Sequence, residues 1–197
     1  MTAQVEKVTL MQNGLETAKD DVIAELKQLE VENFIPPLKI DHFGMAVRDL
    51  AAATRLFTEF LGARLVAGGI NHAARLRTTF VQFPDGGKIE LLQPTGENPI
   101  HHFLEKRGEG IHHVTILVRD VAAMVEQLKA GGFKVVDEDF SALGWKEAYI
   151  SPRSAFGCVL QIVEVGPGYG EPVDGITIED VMADRWEWID QKPQRRG

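Results

Sequence analysis

Two stretches of this chain are near copies of each other, and that repetition narrows its possible folds more than any other feature. IDHFGMAVRDLAA at 40–52 returns as IHHVTILVRDVAA at 111–123, an offset of 71 residues, with V-R-D-x-A-A recurring without a gap. Each copy continues at helical spacing, through Leu50, Thr54, Phe57 and Leu61 in the first and Val121, Val125 and Leu128 in the second. Both helical patterns end at glycine, Gly62 and Gly131–Gly132, where a left-handed cap costs little. A short strand follows in each copy, ARLVA and FKVVD. Two more then come, LRTTFVQF and KIELLQ in the first, KEAYIS and CVLQIVE in the second. Pro84-Asp85-Gly86-Gly87 is a hairpin turn signal, and IELLQ and LQIVE again lie 71 apart.

Each copy therefore reads strand–helix–strand–strand–strand. One helix and four strands cannot bury both faces of a sheet, so the two βαβββ modules should pair into one α+β domain. The expected domain spans 38–166, with modules at 38–93 and 110–166 and a short linker helix around Pro99–Lys106. Residues 1–37 and 167–197 read as helical arms for packing or dimerisation. The first has Leu15, Ala18, Val22, Leu26 and Leu29 at helical spacing before Pro36–Pro37. The second has a helix start at Thr177 with Asp180, and Val181, Arg185 and Trp188 on one stripe.

Twenty-nine acids against 21 bases give a net charge of -8, which argues against nucleic acid or an anionic membrane as the main partner. An anionic small substrate would need a local basic patch. No apolar run approaches the roughly 18 residues of a membrane span, and MTAQVEKVTL lacks the features of a signal peptide. A single cysteine, Cys158, makes no internal disulfide, so a reducing compartment, the cytoplasm, is expected.

The repeat also aligns polar residues. His42 and His113 lie on the first strands of the two copies, and Glu90 and Gln161 on the last, each pair 71 apart. Polar side chains in apolar strands need partners when buried. Two imidazoles, a carboxylate and an amide oxygen related by a pseudo-twofold can hold a divalent cation; the alternative is four separately hydrogen-bonded core residues. His112 should point to the opposite sheet face from His113 by strand alternation. His101 and His102 open the linker helix, His72 sits in a glycine-rich loop, and Cys158 should be an inert thiol facing away from the site.

At these residues the chain resembles the vicinal oxygen chelate superfamily, which includes glyoxalases, bleomycin-resistance-type binding proteins and dioxygenases. It is most similar to the methylmalonyl-CoA epimerases, through IDHFGMAVRDL, KIELLQPTGENPI, FLEKRGEGIHHV and the P-x-S-x-x-G-x-x-L run at 152–160. The resemblance implies a cupped eight-stranded mixed sheet, a homodimer, and one divalent metal (cobalt, nickel, manganese, zinc or iron). It puts His42, Glu90, His113 and Gln161 on the four ligand positions. It also implies an epimerase or isomerase that stabilises an enolate and acts on a small molecule such as an acyl-CoA. Arg75, Arg77, Lys106, Arg107, Lys146 and Arg153 are candidate cations for the coenzyme phosphates.

The chain departs from the epimerase pattern in carrying Gln161 where a glutamate is usual, and in lacking an acid on LRTTFVQF. Aligning Phe80 with Tyr149 sets Thr78 against Glu147, so the second acid of a Glu90–Glu147 catalytic pair would come from module two. Glu147 as an ordinary strand residue is the alternative. A glyoxalase-like lyase, a non-haem iron ring-cleaving dioxygenase using His42, His113 and Glu90, and a metal-free binding protein also stay open.

Overall fold

Asp49 and Asp120, the repeated aspartates, each close the start of a helix. Their side chains accept from the backbone N–H three residues on, Ala52 and Ala123, both at 2.9 Å. The computed structural model describes residues 37–142 and 144–196. The chain divides after Pro36, and the apolar stripe of 15–29 lies outside the described residues.

Module one runs β1 (Lys39–Ala46), α1 (Leu50–Arg55, extended by a wider turn over Leu56–Phe60), β2 (Arg64–Asn71), β3 (Leu76–Gln82) and β4 (Lys88–Pro94). After the linker helix α2 (Pro99–Arg107), module two runs β5 (Gly110–Leu117), α3 (Val121–Ala130), β6 (Val135–Asp139), β7 (Trp145–Ile150) and β8 (Val159–Val165). In both modules the first strand pairs in parallel with the fourth, and the other strands pair antiparallel. Antiparallel pairing of β1 with β5 joins the modules into one sheet. The register supports the alignment of the two halves, because Phe80 faces Glu90 and Tyr149 faces Gln161.

The segment after β8 differs from a helical arm. Thr177 does cap a helix, α4, but that helix covers only Ile178–Met182. The chain then forms a hairpin, β9 (Trp186–Ile189) and β10 (Lys192–Arg195), and β9 pairs with the outer edge of β2. The sheet therefore has ten strands, in the order β10-β9-β2-β3-β4-β1-β5-β8-β7-β6. Of the expected stripe only Val181 is helical: Arg185 lies beyond the helix end and Trp188 on β9. The break is local: Asp184, Asp190 and Gln191 have positive φ, which ends the helix and then turns the hairpin. Val181 and Trp186 are buried with Leu50, Phe57, Val81 and Leu91 in the core of module one.

On the ladder that joins the modules, strand alternation fails at two places, and both shape the site. Along the β1–β5 ladder the register shifts between Ile40 and His42 on β1, and opposite Gly44–Met45 on β5. The extra residues are Asp41 and His112, which are themselves 71 apart. A bulge turns neighbouring side chains toward one face. His112 therefore lies beside His113, with Nδ1 to Nδ1 at 3.1 Å, instead of facing away from it.

Candidate active site

β1, β4 and β5 are the central strands, and they bring His42, Glu90 and His113 together. One ligand atom from each lies within 4.8 Å of the others. Glu90 Oε2 is 3.5 Å from His42 Nε2 and 3.4 Å from His113 Nε2. Two donors bound to one cation at about 2.1 Å are themselves about 3.0–3.4 Å apart in tetrahedral or octahedral arrangements, so this spacing suits a metal ligand set. The buried His113 Nε2 has no hydrogen-bond partner among the described residues. Gly44 makes room for that ring: a methyl group there would overlap the His113 imidazole.

Electrostatics keep the cluster charged. Burial opposes ionisation of Glu90, but the adjacent His113 and His42 rings outweigh it and hold its pKa down at about 2. Burial likewise opposes protonation of His42, and Asp41 and Glu90 overcome it, raising the pKa above 6.5. Burial, then the neighbouring His113, pushes His112 down to about 4, so it is neutral at pH 7.

Gln161 joins the same group. Thr115 Oγ1 donates to Gln161 Oε1 at 2.6 Å and lies 2.9 Å from His42 Nε2. The Gln161 Nε2 donates to Glu147 Oε2 at 2.7 Å, and the Tyr149 hydroxyl donates to that same oxygen at 2.9 Å. A continuous path thus runs from His42 through Thr115 and Gln161 to Glu147. All of these residues except Thr115 line a cavity of about 1240 Å³.

The Glyoxalase/Bleomycin resistance protein/Dioxygenase superfamily profile matches residues 41–149, from the first bulge to Tyr149. The chain belongs to this superfamily. Within it, the chain is 33% identical over 132 residues to the ethylmalonyl-CoA/methylmalonyl-CoA epimerase of Cereibacter sphaeroides, covering 64% of this chain and 98% of that protein. It is 30% identical over 129 residues to the uncharacterised protein YqjC of Bacillus subtilis, covering 64% and 91%. Among solved structures, the methylmalonyl-CoA epimerase of Mycobacterium tuberculosis superposes with a TM-score of 0.62 at 30% identity, covering 70% of this chain and 95% of that one. The epimerase resemblance is thus carried by relatives as well as by motifs.

Other candidates fall outside the superfamily site. Arg77 is paired with Asp184 at 2.7 Å and Lys146 with Glu164 at 2.7 Å, while Arg107 donates to the Gly157 carbonyl. None of the six cations considered for phosphate lines the cavity, whose described lysines are Lys88 and Lys192. His72 is exposed, His101 lies in the first turn capped by Asn98, and His102 is exposed. Cys158 is half-buried, its pKa raised by burial, and is not among the cavity residues.

Several site residues have only a weak sequence signal. Thr115 follows His113 by two positions and so shares its face. Tyr149 bears the same relation to Glu147. Asp41 needed the bulge to be seen, and Tyr169, whose hydroxyl donates to Asp41 Oδ2 at 2.8 Å, is 128 residues away from it.

Proposed function

We propose that this protein is a divalent-metal-dependent epimerase that moves a proton at the carbon beside a thioester carbonyl. The observation that carries this reading is the convergence of His42, His113 and Glu90, with Glu147 linked to them through Gln161 in one cavity. The relatives named as ethylmalonyl-CoA and methylmalonyl-CoA epimerases support an acyl-CoA of the malonyl type as the substrate class.

His42, Glu90, His113 and Gln161 would hold the metal, Gln161 through Oε1, since its amide nitrogen is engaged by Glu147. A divalent cation there supplies Lewis acidity that stabilises negative charge on the thioester oxygen. Glu147 takes or returns the proton on one face of the carbon, with Gln161 and Tyr149 fixing its carboxylate. Glu90 is the second carboxylate, for the other face.

Trp145 and Trp188 line the cavity, and each has a buried Nε1–H without a hydrogen-bond partner among the described residues. The acids Asp137, Glu171 and Asp190 also line it. They disfavour phosphate inside, so the acyl thioester enters and the nucleotide end of the coenzyme stays outside. The deciding experiment is deuterium incorporation at the α-carbon of methylmalonyl-CoA in heavy water, with metal-loaded protein. No incorporation would overturn the epimerase reading.

A further inference from the structure

The repeat ends at β8, yet the segment beyond it reaches the metal candidates by two routes. First, Asp41 Oδ2 receives three groups: His42 Nδ1 at 2.9 Å, Lys88 Nζ at 2.6 Å and the Tyr169 hydroxyl at 2.8 Å. The Asp41 side chain is fully buried, and Lys88 Nζ also sits 4.9 Å from the centre of the Tyr169 ring. Second, Trp188 meets Phe80 edge-on at 5.9 Å between ring centres, and Phe80 meets His42 the same way at 5.1 Å. The segment is anchored for this, by Val181 and Trp186 in the module-one core and by the Arg77–Asp184 pair. The superfamily profile stops at residue 149, short of all of it.

Resting on the reading of His42 as a metal ligand, we propose that Asp41 and Tyr169 are positioning residues for that ligand, and that the C-terminal segment is a wall of the active site. The β1 bulge places a carboxylate on His42 Nδ1, which fixes the ring with Nε2 toward Glu90. A carboxylate on the outer nitrogen of a ligand histidine both orients the ring and raises its basicity. Tyr169 and Lys88 hold the carboxylate in turn. The repeat-related bulge puts the His112 imidazole, not a carboxylate, against His113 Nδ1, so the two ligand histidines have different partners. The carboxylate-held His42 is the one the C-terminal segment reaches, through Asp41 and Phe80.

The test compares Co²⁺ affinity of the full-length wild type, Asp41→Asn and Tyr169→Phe by equilibrium dialysis, beside the melting temperature of each metal-free protein. Asp41→Asn should weaken binding about 10–100-fold, the usual effect of losing such a partner. Tyr169→Phe keeps the ring over Lys88 and should weaken it by a smaller but measurable factor. A purely structural role would lower the melting temperature and leave affinity unchanged in protein that is still folded; that outcome, in either variant, overturns the proposal. Long-range ¹H–¹⁵N NMR of the metal-free wild type decides the matter even where a variant does not fold. His42 Nδ1 should carry a proton, and an unprotonated Nδ1 also overturns the proposal. Wild-type protein that takes up no Co²⁺ counts instead against the metal-dependent reading on which this one rests.

Discussion

Replacing Glu147 by glutamine separates proton transfer from metal binding. The substitution keeps volume and shape but removes the charge and the proton affinity. Glu147 is not among the three clustered candidate ligands, so metal content should stay at the wild-type level. Its Oε2 accepts two hydrogen bonds, at 2.7 Å from Gln161 and 2.9 Å from Tyr149. A hydrogen bond to a charged group is worth about 1.5–3 kcal/mol, and one between neutral groups about 0.5–1.5 kcal/mol. Changing two from the first class to the second costs about 2–3 kcal/mol of stability, an upper figure, since Glu147 is only half-buried. Removing a general acid–base group lowers turnover about 10²–10⁴-fold, or about 2.7–5.5 kcal/mol in the barrier. Turnover measured on folded, metal-loaded protein separates the kinetic loss from the loss in folding. The assay follows deuterium entry at the α-carbon of methylmalonyl-CoA by mass spectrometry, with metal content and melting temperature measured on the same preparation. An unchanged exchange rate in the metal-loaded variant would refute the role given to Glu147 and leave the enzyme class standing.

Other outcomes test other parts of the site. Gly44→Ala should displace the His113 ring and reduce bound metal sharply while the protein still folds; full stoichiometric metal would contradict the ligand role of His113. Gln161→Glu should tighten metal binding by adding a charge, yet lower turnover, because an oxygen would then face Glu147 Oε2 where the amide N–H now donates at 2.7 Å. Dialysis and the exchange assay should move in opposite directions. In the metal-free protein, the Glu90 pKa falls from 4.5 to about 2 on folding, so its stabilisation is present above pH 4.5 and is lost as pH drops toward about 2. The His42 pKa is raised above 6.5, so its contribution is complete below 6.5 and disappears as pH rises through the folded value. Melting temperatures should fall on both sides, and Glu90→Gln should flatten the acid limb. Ile40 and Phe43 on β1 and Ile111 on β5 stand exposed, with Leu38 just before β1, so a homodimer is expected by light scattering at micromolar concentration, where a monomeric mass would count against it.

What the sequence revealed, and what it hid, follows from how far each signal travels along the chain. Paired modules and the two helices were legible because each depends on a 71-residue offset that survives in the residues themselves, whereas the equivalence of Thr78 with Glu147 came from aligning Phe80 with Tyr149, an offset of 69. His42, Glu90 and His113 were legible through the 71-residue offset too. The bulges were not, because alternation over a single strand assumes a regular ladder. One extra residue at Asp41 and another at His112 changed which side chains face the site. The C-terminal segment has no repeat-related partner, so only local signals were available. Its capped start at Thr177 was correct, while the hairpin depended on positive-φ residues at Asp184, Asp190 and Gln191 that have no glycine to mark them. That asymmetry has a consequence for the chemistry. Two halves related by a pseudo-twofold would treat both faces of a substrate carbon alike. Here Asp41 with Tyr169 backs one histidine, His112 backs the other, and the segment lies along module one, so the two faces meet different walls. An epimerase must act on both faces of the same carbon, and on the proposed reading the two acids that would serve those faces, Glu90 and Glu147, come from opposite modules.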